Sequence, residues 1–198
     1  MLTLYDNAGS TNALKLRVLL EELGEEVERV VVPLDGPKPD GYSELHPFGL
    51  VPTLVDGPVV VTESNTALRY LAERAGRADL RGATPAERAR IDTLLDSLSL
   101  EVRPALWGVE EWAVYRSGSP DEFAARAATL ERALGAYDRL LDPVGPWATG
   151  ATFTVADCAL GGRALHLPRL PLAPGCAPRL RRVLAAVRER PSFARALG

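Results

Sequence analysis

Between residues 46 and 76 the chain reads HPFGLVPTLVDGPVVVTESNTALRYLAERAG, and this run leaves the backbone few choices. Val51-Pro52 opens an apolar segment from Pro52 to Val55, Asp56-Gly57 supplies turn chemistry that favours positive φ, and Val59 to Val61 return, which predicts a β-hairpin. Leu68, Leu71, Ala72 and Ala75 then follow the i, i+3, i+4, i+7 spacing of a helix with one buried face, and Gly76 stands where a left-handed cap is expected. Glu63 and Ser64 therefore fall at that helix's N-terminus, where backbone N–H groups lack internal partners and the helix dipole favours an anion.

Upstream, Leu2 to Tyr5 read as a strand, Asp6 to Thr11 as a turn-rich loop, and Leu16, Leu19, Leu20 and Leu23 as the buried face of a helix ending at Gly24. Val27 to Val32 form a second strand that Pro33 terminates. Residues 33 to 45 are rich in Pro, Gly and Asp and predict an irregular connection with one helical turn near Tyr42 to Leu45. Strand, helix, strand, loop, hairpin, helix is the order of a thioredoxin-like α/β unit, a four-stranded mixed sheet with helices on both faces. The rest is helical by pattern. Ile91, Leu94, Leu95 and Leu98 follow Thr84-Pro85; Phe123, Ala127, Leu130, Leu134, Tyr137 and Leu141 step by three and four; Leu180, Val183, Leu184 and Val187 repeat the spacing. Pro104 is expected to kink or end the first of these helices. Thr154 and Asp157 form a capping box before an apolar run, and Gly161-Gly162 would permit close helix approach. Arg77 to Ala83 is the natural boundary, giving domains at residues 1–78 and 84–198.

Composition narrows the function. A net charge of −3 leaves no basic stripe for nucleic acid. No apolar run approaches the roughly 18 residues of a membrane span, and Lys15 and Arg17 interrupt the first twenty residues, so the expected location is cytoplasmic. The two cysteines, Cys158 and Cys176, share no metal-ligand spacing with the two histidines, so no metal is expected.

The 46–76 run resembles the glutathione-binding half of the glutathione transferase family, whose motif reads roughly Asn-Pro-x-Gly-x-Val-Pro-x-Leu, hairpin, Glu-Ser, helix. Thr154 to Asp157 and Arg190-Pro191-Ser192-Phe193 resemble that family's later landmarks, so the likeness spans nearly the whole chain. It implies a thioredoxin-like N-terminal domain with an all-α C-terminal bundle, a cis bond before Pro52, and glutathione as co-substrate. In this reading the N–H and C=O of Val51, beside Pro52, pair with the cysteinyl backbone as an added strand would. Ser64 holds the γ-glutamyl carboxylate and Glu63 addresses the ammonium. Lys38 stands in for a missing cation, because Leu50 replaces the Lys or Gln that reaches the glycyl carboxylate in many members, and His46 replaces the common Asn. Thr154 and Asp157 take a structural role.

Such an enzyme must stabilise a thiolate, and family members carry the donor in the loop between the first strand and first helix. Ser10 matches the position used by serine-type members; it also suits an N-cap, and the two roles are compatible. Thr11, one residue later, and Tyr5, at the end of the strand, are the alternative donors, with Asn12 as an assistant. Taken singly, Ser64 reads equally as an N-cap, Glu63 and Lys38 as solvated charges, and Val51-Pro52 as a strand start. The implied activity is conjugation of glutathione to small hydrophobic electrophiles by a homodimer, a detoxification role. Trp107, Trp112 and Tyr115 are candidates for the electrophile's apolar lining or for core. The alternatives are a non-catalytic transferase-like module that binds a partner protein, and an enzyme of this fold using a different thiol.

Overall fold

A computed structural model describes residues 1–115, 119–167, 170, 173 and 175–198, with the side chains at 111 and 113–115 outside that description. Four strands, β1 (Leu2–Asp6), β2 (Val27–Val31), β3 (Thr53–Asp56) and β4 (Val59–Val61), form one sheet in the order β2-β1-β3-β4. β1 runs parallel to β2 and antiparallel to β3, and β3 pairs antiparallel with β4. The parallel step is made through α1 (Thr11–Leu23), which Gly24 ends in a left-handed conformation with its N–H on the Leu20 carbonyl. The hairpin is shifted by one residue from expectation. Asp56 pairs with Val59, so Gly57, at φ 56°, and Pro58 make the turn, because only glycine takes that φ without a Cβ penalty.

The sheet is covered on both faces. Leu2, Leu4 and Leu54 pack towards α1 and α3 (Ser64–Arg74) in one continuous core. On the opposite face α2 (Tyr42–Leu45) sets its tyrosine ring 5.3 Å from that of Tyr5, and the Tyr42 hydroxyl lies 2.8 Å from Thr53 Oγ1. After α3 a short helix, α4 (Ala78–Arg81), fills the expected boundary segment, and every further element is helical. Thr84 and Glu87 form a reciprocal capping box that starts α5 (Pro85–Ser97). Pro104 neither ends nor breaks the helix that follows. A π-helical turn over Leu98–Val102 widens the hydrogen-bond register just before it, so the missing proline N–H is absorbed and α6 (Arg103–Tyr115) continues.

α7 (Pro120–Leu140), α8 (Val155–Ala164), α9 (Pro178–Arg188) and α10 (Pro191–Leu197) complete the bundle. All ten residues of α8 are buried. Its start is held by Asp157, whose carboxylate accepts from the N–H groups of Ala148 at 2.7 Å and Thr154 at 2.8 Å and from the Thr154 hydroxyl at 3.1 Å. Burial outweighs these bonds and pushes the Asp157 carboxyl up to about 6.

The contact of α8 with α1 is unusually close. A Cβ at Gly162 would fall 2.1 Å from the Thr11 carbonyl oxygen, whereas one at Gly161 would meet Val18, Val187 and Phe193 side chains at 3.5–3.7 Å, ordinary packing distance. Gly162→Ala should therefore lower the unfolding free energy by about 2–3 kcal/mol through overpacking against backbone. Gly161→Ala, which gains helix propensity, should stay within about 1 kcal/mol of the parent. Urea titration of the two variants checks the contrast.

Candidate functional site

The loop from β1 into α1 is pinned by Asn7. Its Oδ1 accepts from the Gly9 N–H at 2.9 Å, its Nδ2 donates to the Val32 carbonyl at 2.9 Å, and its own carbonyl accepts from the Ser10 N–H at 2.9 Å. Ser10 is thereby delivered in extended conformation as the N-cap of α1, where its Oγ accepts from the Ala13 N–H at 3.2 Å. Capping uses the oxygen as acceptor and leaves the hydroxyl hydrogen for an outside partner. Thr11 and Asn12, by contrast, both face the guanidinium of Arg163, whose Nη1 is 3.0 Å from Thr11 Oγ1 and Nη2 3.4 Å from Asn12 Oδ1. Tyr5 lies on the α2 face of the sheet with Tyr42, away from the face that α1 covers.

The second wall is the corner before β3. The Val51-Pro52 bond is cis. Tyr42 anchors this corner by donating to the Leu50 carbonyl at 2.5 Å beside Thr53. Among the described residues neither the N–H nor the C=O of Val51 is engaged by another group. An extended chain running past could take both, as at a sheet edge. The third wall is the start of α3. Glu63 is its N-cap, exposed and without a side-chain capping bond, and Ser64 is its first residue.

One expected position is placed differently. Lys38 is turned back onto its own loop, donating to the carbonyls of Pro33 and of Leu34, the latter at 2.9 Å. His46 follows α2 as its extended C-cap, is buried, and its Nδ1 accepts from the Phe48 N–H at 3.3 Å. Leu50 remains 61% exposed. Of the aromatic candidates, Trp112 is half-buried with its ring centroid 4.1 Å from that of Phe123, while Trp107 stays 57% exposed with the Arg103 guanidinium over its ring. The side chain of Tyr115 lies outside the described residues. His166 follows α8 and pairs through Nδ1 with Glu110 on α6 at 3.1 Å.

Three site residues escaped the sequence reading: Lys15, Asn65 and Arg163. Asn65 directly follows Ser64, and its amide donates to the Leu95 carbonyl at 2.8 Å and to Ser99 Oγ at 3.0 Å, tying the start of α3 to the π-helical turn region. Its Oδ1 accepts from Lys15 Nζ at 2.8 Å. Lys15 and Arg163 are both buried, on α1 and α8. The available signal was a cation inside an apolar helical run, with Arg17 close by in the case of Lys15 and a glycine pair in that of Arg163. Among the described residues, no group of His, Cys, Asp and Glu side chains could hold a metal ion, and no helix is long and apolar enough to cross a membrane.

Comparison with known proteins gives a consistent likeness. The family model described as glutathione S-transferase, N-terminal domain, matches residues 9–74. Glutathione S-transferase 3 of Zea mays is 31% identical over 97% of this chain and 91% of its own length. A stringent starvation protein A homolog of Coxiella burnetii is 28% identical over 98% of this chain and 90% of its own. Among solved structures, the theta class glutathione S-transferase of Xanthomonas axonopodis pv. citri, with glutathione bound, matches with a TM-score of 0.85. It is 29% identical, with 99% of this chain and 96% of that one covered.

Lys15 offers a measurable consequence. Burial first, then the charges of Arg163 and Arg103, push its ammonium down from 10.5 to about 7, against a smaller opposing effect of Glu63. Between about pH 7 and 10.5 the unfolded chain holds the proton and the folded one releases it, so the stability tied to Lys15 rises with pH across that window and is smallest below it. Relative to the parent, Lys15→Met should therefore be most stable near pH 7 and lose that relative advantage towards pH 10. Chemical denaturation of both proteins at several pH values reads the difference; a gap that stays constant contradicts the assignment.

Proposed function

Because this chain belongs to the glutathione S-transferase family, we propose that it binds glutathione and conjugates the tripeptide's thiolate to small hydrophobic electrophiles. The observation that carries the reading is Ser10, which caps α1 with its oxygen and keeps its hydroxyl hydrogen free at the positive end of the same helix. A thiol of ordinary pKa near 8.5 is mostly protonated at neutral pH. A hydroxyl donor and a helix N-terminus both favour the ionised sulfur over the neutral one, because each acts on a charge present in only one form.

In this mechanism the thiol proton leaves to solvent, the sulfur lone pair attacks the electrophilic carbon, and the leaving group departs with its bonding pair. Val51 would align the cysteinyl backbone, while Ser64 and the start of α3 would take the γ-glutamyl carboxylate and Glu63 the ammonium. The unengaged Val51 backbone and the uncapped start of α3 support these roles. Residues 1–78 would serve the tripeptide and 84–198 the electrophile. Lys38 would have to leave the Pro33 and Leu34 carbonyls to reach the glycyl carboxylate.

A second reading, a transferase-like module that binds a partner protein without using the thiol, is favoured by one specific feature. The glycyl end has Leu50, exposed and apolar, where a cation or amide is expected. Retention on immobilised glutathione together with turnover of an aryl halide separates the two readings.

Ser10→Ala should cut turnover of a generic aryl halide about ten- to a thousand-fold, about 1.4–4 kcal/mol on the barrier, with glutathione affinity nearly unchanged. Steady-state kinetics and calorimetry measure the two effects separately. Unaltered turnover would move the donor role to Thr11 or Tyr5.

A further inference from the structure

Arg163 projects from the last turn of α8 and is only 6% exposed. A guanidinium stays ionised in a protein, so this is a buried charge. Its partners are neutral: the Thr11 hydroxyl at 3.0 Å and the Asn12 side-chain oxygen at 3.4 Å. Among the described residues no ion pair involves it. The other buried arginine of this region, Arg17, has the Asp6 carboxylate at 3.7 Å, so the absence is particular to Arg163. A buried cation that meets only neutral groups is costly unless an anion completes its surroundings.

Cations outweigh carboxylates in the neighbourhood. From α1, Thr11 and Asn12 bring the helix's positive end and Lys15 an ammonium within electrostatic reach. Arg103 on α6 adds a third cation, and Glu110 on the same helix supplies an opposing carboxylate, itself engaged with His166. Glu63 acts on Lys15 from the start of α3. Lys15 serves as a built-in probe of this potential, since Arg163 and Arg103 are the charges that drive its proton off after burial. The same positive potential that disfavours an ammonium favours an anion.

We infer that Arg163 is a positioning residue for the thiolate: through Thr11 and Asn12 it fixes the first turn of α1 behind Ser10 and lends that end a buried positive charge. The inference rests on the glutathione reading of the site. It makes α8, an element of the helical part of the chain, a contributor to sulfur ionisation. Lys15, bonded to Asn65 beside Ser64, lies towards the carboxylate end, which leaves Arg163 as the cation on the sulfur side.

The test uses the whole chain and reads the thiol pKa of bound glutathione from the ultraviolet absorbance of its thiolate, with S-methylglutathione, which cannot ionise, as the affinity control. Arg163→Gln should raise that pKa by about one unit, tenfold less thiolate on the acid side, and leave the S-methylglutathione Kd within about twofold. Arg163→Lys, which keeps the charge, should recover most of the shift. Glu110→Gln, which removes the opposing charge from a partly exposed position, should move the pKa the other way, by a few tenths of a unit. If Arg163→Gln does not fold, the sign of the Glu110→Gln shift decides, and an unchanged or raised pKa there overturns the inference. An unchanged pKa in folded Arg163→Gln overturns it too. If that unchanged value is seen in a parent that binds and ionises glutathione, only the Arg163 role falls; a parent that fails to bind S-methylglutathione removes the glutathione reading itself, and this inference with it.

Discussion

The closest approach of the helical half of the chain to the sheet half is the seating of Gly162 against the carbonyl of Thr11. With Cβ excluded there, α8 lies directly on the first turn of α1, and the next residue, Arg163, falls within reach of Thr11 and Asn12. α1 is consequently covered on nearly every side, by the sheet and α3 on one flank and by α8 and α10 on the other. Its far end is locked by charge rather than by close backbone approach. Glu22 accepts from Arg190 at 2.7 and 2.5 Å and from Ser192, and these bonds hold the carboxyl below its ordinary range despite burial. Arg190 in turn lies over the Phe153 ring at 4.0 Å, so one guanidinium joins α1 to the loop that precedes α8.

Sandwiching a helix between two layers has an electrostatic cost that this chain meets unevenly. Arg17 has Asp6, at the end of β1, which also receives Arg29, so the two guanidiniums share one carboxylate. Lys15 and Arg163 have hydroxyl and amide oxygens only. Each buried ion without a counter-charge is worth several kcal/mol of lost hydration, a burden on a protein whose whole stability is of order 10 kcal/mol. Both uncompensated cations flank the first turns of α1, next to the groups proposed to hold a thiol peptide. Local departures from the rule that buried charges are paired concentrate at functional sites, and here two of them adjoin one helix end.

What could be read from the sequence was what depends on local chemistry. The hairpin, the Gly24 and Gly76 stops and the Thr154–Asp157 box follow from backbone restrictions of particular residues, and each appears where those restrictions put it, the turn displaced by one residue, whereas the cis Val51-Pro52 bond was expected only from the family resemblance. Ser10 as an N-cap was equally local. The π-helical turn before Pro104 was not legible, because the pattern of Leu94, Leu95 and Leu98 suits either register and proline alone suggests a break. Lys15 and Arg163 were missed for a tertiary reason. Helical periodicity assumes one wet face, so a charge on it is read as solvated; α1 and α8 have no wet face in their central turns. Trp107 fails in the opposite sense, an aromatic with helical spacing that remains half in solvent.

The distribution of charge around the candidate site bears on which thiol suits it. In the proposed binding mode the sulfur end would have the α1 terminus, Ser10 and the Arg163 field, and the γ-glutamyl end would have the α3 terminus with Ser64 and Lys15 nearby. The glycyl end has an exposed leucine and a lysine committed to two carbonyls of its own loop. Affinity for an anion is strongest where charges are fixed and desolvated, and weak where a flexible surface ammonium must first abandon existing bonds. Recognition concentrated on the γ-glutamyl-cysteinyl portion leaves the third residue of the peptide the least constrained. Ionising a thiol and grasping a full tripeptide are separable tasks on this scaffold, because the groups for the first come from the seam between α1 and α8, and those for the last come from the loop between β2 and β3.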